Sequence, residues 1–460
     1  MEETTKEAGA AKSELTKLDK LHALPWSVGF DVANTFFLQF TFFGSAFVLF
    51  LNELQFDKTE IGFLLAVFPF LGLISLLITP FVARFGYKRS LITFFGIRTL
   101  FAGLLILTPL FVRPGQVWGV LLFVGLVTIA FAIARSVGMT AMLPWQQEYI
   151  PNEIRGKYSA YSGIFVSLAG LLAVAIAGYV IELNFGLPRY SILFGLGVVS
   201  ALVSLYLVSH IPGGIGATQV ASILKNRKEM LAPLRDGRFV RYLTGLGLYT
   251  LSTAPVFAFL PIFMQDQVGL TPGNVVFLQT GVLVGSLMSS FFWGWVADRY
   301  GSKPVALSGL LLTATLPVGW YFMPRNASLS LLTALLIAGI QGIATTGWSI
   351  GSGRMLYVSL VPSQSEAAYL SQYNAWLGLI GGISSIFGGR LLDALSGFQA
   401  HFIGLTLNAY GVLFGAALLF TMVSVFMIRS IHTASEIGVS EFAGMFLHGN
   451  PFLAAGIYPQ

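Results

Sequence analysis

The chain has 460 residues, of which 55% are hydrophobic and only 10% charged, and it carries 40 Phe. A soluble domain holds about 25% charged residues, so this surface is too apolar for water and fits lipid. The absence of cysteine excludes disulfides, thiolate nucleophiles and Cys-ligated metals, while the net charge of +6 raises a nucleic-acid partner that only the placement of the charges can decide.

The first twenty residues alternate Lys and Glu without the apolar core of a cleaved signal, so none is expected. Crossing a bilayer takes about 20 apolar residues. Twelve such runs follow in chain order: 26–51, 59–82, 89–111, 117–143, 157–182, 189–211, 241–264, 273–297, 304–323, 330–357, 366–394 and 403–429. Breakers separate them, among them Arg113-Pro114-Gly115, Pro151, Pro188, Thr271-Pro272-Gly273, Pro324 and Pro362. Pro25-Trp26 and Trp145 read as interfacial anchors. The fold class is an all-α polytopic membrane protein: twelve transmembrane helices in two pseudo-symmetric six-helix bundles. The expected divisions are 1–24, a bundle over 25–212, a linker over 213–239, a bundle over 240–430 and a broken apolar tail over 431–460.

Four basic residues fall inside spans (Arg98, Arg135, Arg354, Arg390) and four in odd-numbered connections (Lys58, Arg113, Arg189, Arg325). The rest sit at the termini and in even-numbered connections. The positive-inside rule then places both termini and the basic linker in the cytoplasm, in a cell (inner) membrane. The same distribution removes the nucleic-acid reading, because the charges are spread over separate loops.

The halves repeat. Aligning Gly301 with Gly86 matches Arg299 with Arg84 and Lys303 with Lys88, but Asp298 with Ala83. The stretch 150–160 likewise matches 361–371, placing Glu366 where Arg155 stands beside Gly156. The turn Gly294-x-x-x-Asp298-Arg299-x-Gly301-x-Lys303 resembles the signature turn of the major facilitator superfamily, and Pro151-x-Glu153-x-Arg155-Gly156 resembles that family's loop before span 5. The first copy keeps Arg84, Gly86 and Lys88 but has Thr79 and Ala83 where the pattern has Gly and Asp. The resemblance, over residues 25–430, implies secondary transport by alternating access, with spans 1, 4, 7 and 10 lining the pathway. It also implies that each turn latches onto the start of a span in the other half: Asp298 onto Arg155 and Gly156, and the first turn onto the start that carries Glu366. Ser363 and Glu366 could instead cap their own helix. An acid at 83 would then meet Glu366 and be repelled, so Ala83 and Glu366 read as one compensated change; neutral drift is the plainer account.

An ionisable side chain inside a span is costly and marks a pathway or a buried pair. Asp31 and Arg135 lie at similar depth and are expected to pair, either as a coupling switch or as a permanent structural link; Arg98 could reach a carbonyl or Asp31. Arg390 and Asp393, three apart, are expected to pair with each other. Candidate substrate contacts are Asn34, Gln39, Arg135, Tyr249, Gln279, Gln341, Trp348, Arg354, Gln372, Asn374 and Trp376. Hydrogen bonding between helices is the plainer role for such groups. The mixture of amides, hydroxyls and indoles suits a small polar solute, and the excess of arginines keeps an anion open. The late span-5 Gly-Pro of drug antiporters is absent from 172–180. The five histidines (His22, His210, His401, His432, His448) show no ligand spacing, and no phosphate-cradling loop is present, so neither metal, cofactor nor enzymatic activity is expected. The expected partners are a small-molecule substrate, possible protons and the lipid bilayer, with the chain a monomer. The rivals are a non-transporting receptor or assembly factor on this fold, with a Phe-plugged centre, and a lipid or drug exporter. Reporters fused within 213–239 and 324–329 should report opposite sides of the membrane; a shared side would remove the twelve-span count.

Overall fold

A computed structural model describes residues 15–112, 117–215, 232–362, 365–402 and 405–431. The start of the chain, most of the linker and the apolar tail expected on the membrane surface lie outside them. Among the described residues, eleven helices are long and apolar enough to cross a membrane, and the bent pair Lys58–Gly72 and Leu77–Phe85, taken as one span, makes twelve. Only helices or closed barrels satisfy backbone N–H and C=O groups in hydrocarbon, so long apolar runs without a closed sheet become helices.

In the first half, span 1 is Lys17–Phe40 and, after a break, Ser45–Glu53; span 2 is Lys58–Gly72 and Ile74–Phe85. Span 3 runs from Tyr87–Leu104 through the tight turn Leu105–Leu107 to Thr108–Phe111, and spans 4 to 6 are Val117–Tyr149, Arg155–Glu182 and Pro188–Ser209. In the second half, spans 7 to 9 are Gly237–Asp266, Pro272–Tyr300 and Ser302–Phe322. Span 10 is Ser330–Arg354 widening into the π-helical Met355–Leu360, and spans 11 and 12 are Glu366–Ala394 and Ala409–Arg429.

Several boundaries depart from the sequence reading. Span 1 begins earlier, where the Thr16 and Asp19 side chains form a reciprocal cap. It then breaks at Thr41–Gly44, where a Cβ on Gly44 would lie 2.2 Å from the Gln39 carbonyl oxygen. Span 2, with Pro69 and Pro80 inside its two pieces, bends by 64°. Span 12 starts at Ala409 rather than 403, because Asn408 caps it and strands Ala400–Phe402 and Leu405–Leu407 pair as a hairpin before it. Trp145 is no interfacial anchor: span 4 continues through Pro144, and the indole is buried, donating to the Pro212 carbonyl at 3.0 Å.

The two bundles meet on one face and part on the other. On the far face, opposite the linker, one apolar cluster runs through both halves, from Phe37, Phe47 and Ile61 to Phe259, Phe263 and Leu392. On the linker face the core divides: Phe30, Phe95 and Tyr149 belong to a cluster within the first half, and Phe239, Trp348 and Tyr369 to one within the second. Glycines permit the close far-face approach. A Cβ on Gly389 of span 11 would fall 2.2 Å from the Lys58 carbonyl of span 2, and one on Gly273 of span 8 would fall 2.7 Å from the Gly178 carbonyl of span 5.

Within the second half, spans 8 and 10 touch backbone to backbone, and a Cβ on Gly285 would lie 2.1 Å from the Gly339 carbonyl. Gly294, in the same span, faces open space. Gly285→Val should therefore cost about 1–3 kcal/mol by overpacking, read as a lower melting temperature, while Gly294→Val should leave the melt unchanged.

Candidate functional site

The twin turns resolve first. Gly86 and Gly301 hold φ of 96° and 93°, a region that side chains resist, which fixes glycine at both positions. Lys88 donates to the Ile211 carbonyl at 2.7 Å and Lys303 to the Ile431 carbonyl at 2.6 Å. Each lysine thus ties its turn to the end of the last span of its own half, where the helix dipole favours a cation. The acids at the matched positions meet different surroundings. Ala83 is fully buried, whereas the Asp298 side chain is largely exposed and pairs with Arg354 of span 10. An acid at 83 would be buried without a partner, a more direct reason for its absence than repulsion by Glu366. Arg299 leans over its neighbour Tyr300, and Arg84 ends span 2. Asp298 pairs with Arg354 of its own half and not with Arg155, a Cβ added at Gly156 would meet nothing within 4 Å, and Glu366 is exposed. Span 11 starts after Ser365, and Ser363 lies outside the described residues, so the expected cap is not seen.

The far face is held by charge as well as packing. Asp393 accepts from the Lys58 and Thr59 backbone N–H groups at 3.2 and 2.6 Å, capping span 2 from the other half. The expected Arg390–Asp393 pair does not form, because Asp393 serves this helix start and Arg390 lies over Phe63. Glu182 accepts from the Gly273 N–H at 2.9 Å, joining spans 5 and 8.

The membrane interior holds three polar groups. The first is a cavity of about 190 Å³ lined by Gln39 and Ser45 of span 1, Phe257 and Met264 of span 7, Gln279 of span 8, Trp320 of span 9 and Gln341 of span 10. The Gln39, Gln279 and Gln341 side-chain oxygens and the Trp320 indole nitrogen are all buried without a hydrogen-bond partner. The sequence named the three glutamines. It missed Trp320, whose only signal is an indole near the end of an apolar span.

The second surrounds Asp31. Its carboxylate accepts from Ser162 at 3.1 Å and from Tyr158, while Ser27 shares hydrogen bonds of 2.6 Å with Tyr158 and 2.7 Å with Tyr149. These hydroxyls, from spans 1, 4 and 5, form a chain from Asp31 toward the linker face, and none was named from sequence. The expected Asp31–Arg135 pair is not formed in this structure, because Asp31 turns to span 5.

The third holds the arginines. Arg98 is fully buried, donates to Asn34 at 2.5 Å and lies 3.4 Å over the Phe95 ring. Arg135 leans on Phe43 at 4.6 Å. Of the two expected acceptors, Arg98 reaches a carbonyl, that of the Asn34 side-chain amide, and not Asp31.

The remaining candidates divide. The Tyr249 and Trp348 rings meet at 4.6 Å, tilted by 31°, inside the second bundle, and Trp376 donates to the Leu243 carbonyl at 2.7 Å. These three pack the bundle and do not line the cavity. Arg354 serves Asp298, Asn374 is exposed on span 11, and Gln372 is half-buried beside it. With the far face shut through Asp393, Asp393→Ala should shift the population toward a closed linker face. Maleimide labelling of Gly156→Cys should then slow roughly 10-fold or more against the Asp393 parent, in line with about 1.5–3 kcal/mol for hydrogen bonds to a charged group; unchanged labelling would remove Asp393 as a clasp.

The family profile described as Major Facilitator Superfamily matches residues 32–213 and 242–455. An ectoine/proline transporter of Corynebacterium glutamicum is 22% identical over 268 residues, 54% of this chain and 53% of that protein, so the match spans about half of the relative's length. Among solved structures, a point mutant of the nucleoside transporter NupG aligns with a TM-score of 0.68 at 12% identity, over 89% of this chain and 100% of that one. A D-xylose–proton symporter aligns with a TM-score of 0.65 at 18% identity, over 90% and 97%. With two six-span bundles, paired signature turns and a profile match through both halves, the chain belongs to the Major Facilitator Superfamily.

Proposed function

We propose that this chain is a secondary transporter that moves a small polar solute by alternating access, with protonation of Asp31 coupled to the cycle. The observation that carries the reading is the convergence of Gln39 from one half with Gln279 and Gln341 from the other on one cavity, their acceptors unpartnered. A buried amide without a partner costs about 1–3 kcal/mol, which a solute with hydrogen-bond donors returns on binding. Because the groups come from both bundles, such a solute would engage both while they move. A receptor or assembly factor needs no such meeting of polar groups, and an exporter of lipids or drugs would favour an apolar one.

The excess of basic residues on the linker face supports a cytoplasmic assignment for that face, which makes this conformation inward-facing. The hydroxyl chain Tyr149–Ser27–Tyr158–Asp31 then leads from the cytoplasmic side to the carboxylate. Asp298 and the start of span 5 would latch the linker face in the opposite state. The relatives, named for ectoine and proline, nucleosides and xylose, support solute transport and differ too much in cargo to supply one here.

Uptake by proteoliposomes under an imposed pH gradient tests both parts. A screen of polar solutes should find one whose uptake the gradient raises. Gln341→Leu should weaken its half-saturation roughly 10-fold or more, and Asp31→Asn should equilibrate the solute without concentrating it. Wild-type accumulation by Asp31→Asn would remove coupling at that site.

A further inference from the structure

Arg98 and Arg135 make an arrangement that the polar cavity does not explain. They come from neighbouring spans 3 and 4, and the charge of Arg135 bears on Arg98. Arg98 is 1% exposed, with two of its nitrogens, Nε and Nη1, buried and unpartnered. Its hydrogen bond goes to the neutral Asn34, which supplies no countercharge. The Nε of Arg135 is likewise buried and unpartnered, and among the described residues the side chain has no hydrogen-bond or ion-pair partner. The nearby acid, Asp31, is held by Ser162 and Tyr158. Two guanidinium groups on neighbouring spans inside a membrane protein, with no carboxylate partner among the described residues, are unfavourable unless something supplies the missing charge.

The local fold shows where that charge can arrive. The break at Thr41–Gly44 presents the part-exposed Phe43 ring against the Arg135 guanidinium. Arg98 is held behind, over Phe95 and Phe37, by cation–π contact. Arg135 keeps part of its side chain accessible. Stacking on a ring leaves the in-plane N–H donors of a guanidinium free, the geometry that binds carboxylate or phosphate with two hydrogen bonds.

We infer that Arg135, backed by the buried charge of Arg98 and supported by Phe43, is a binding site for an anionic group, carboxylate or phosphate, on the transported solute. This deepens the transport reading and rests on it: the amides around Gln341 take the neutral polar part of the solute and Arg135 takes its charge. Arg98 is a positioning residue. It touches no solute, and its repulsion leaves Arg135 without stabilisation until an anion arrives.

The test is a thermal-shift titration of the purified full chain with the matched probes acetate and acetamide, benzoate and benzamide, and with inorganic phosphate. At least one anion should raise the melting temperature where its neutral partner does not; a response to phosphate alone assigns a phosphate, and a response to the carboxylates assigns a carboxylate. The shift should vanish in Arg135→Gln and persist, weakened, in Arg135→Lys. The empty Arg135→Gln protein should melt no lower than wild type, because no partner is stranded. Equal shifts from acid and amide, an undiminished shift in Arg135→Gln, or no shift from any probe overturns the anion site. Failure of the transport reading is a separate result, the absence of uptake of any solute by proteoliposomes, and a positive anion titration would survive it.

Discussion

Hydrocarbon offers no hydrogen bonds, and that constraint orders the whole molecule. Backbone groups close on themselves in helices, and hydroxyl side chains follow the same rule. Thr35, Thr41, Thr99 and Thr345 each donate a hydrogen bond to a carbonyl in the preceding turn of their own helix. Against that background of satisfied groups, the buried atoms that lack partners stand out. Seven of the twelve among the described residues belong to two groups, one of Gln39, Gln279, Gln341 and Trp320 and one of Arg98 and Arg135; the others are single atoms of Thr128, Ser136, Arg189, Ser204 and Tyr410. A membrane protein tolerates such groups where a ligand or water completes them.

The second ordering element is the unequal joining of the halves. On the far face the backbones of spans 2 and 11, and of spans 5 and 8, approach so closely that glycine is needed at the crossing points. Small residues let helices gain dispersion contacts and exclude lipid. On the linker face each bundle keeps its own core, with the lysines of the twin turns pinned to their own last spans. The turns are thus built into the bundles themselves, and the proposed cycle would change the contact between bundles.

Much of this was legible in the sequence. Twelve apolar runs, their breakers and the repeated turn gave the spans and the two bundles, because span length and glycine at positive φ are local properties. The three glutamines were legible as candidates because an amide within an apolar run must find a partner, in a neighbouring helix or in a ligand. The partners were not legible, because they depend on helix rotation and tilt. Depth along spans 1 and 4 put Asp31 opposite Arg135, yet the rotation of span 1 turned the carboxylate to Ser162 of span 5. Arg390 and Asp393 looked like a local pair until the start of span 2 came alongside. Trp348 and Trp376 looked like pathway residues, but each indole packs inside the second bundle. The break in span 1 was hidden because its residues, Thr-Phe-Phe-Gly, are as apolar as their flanks.

The far-face clasp has a consequence for how such a chain can vary. Its acceptor is a side chain, Asp393, but its donors are the main-chain N–H groups of residues 58 and 59. Every non-proline residue carries that N–H. Substitutions at 58 and 59 therefore leave the donors in place, and one position, 393, controls the acceptor. The two halves depend on this bond unequally: its donors survive any non-proline change at 58 and 59, although the Lys58 side chain separately pairs with Asp266 and Asn52, while its acceptor is held to an acid.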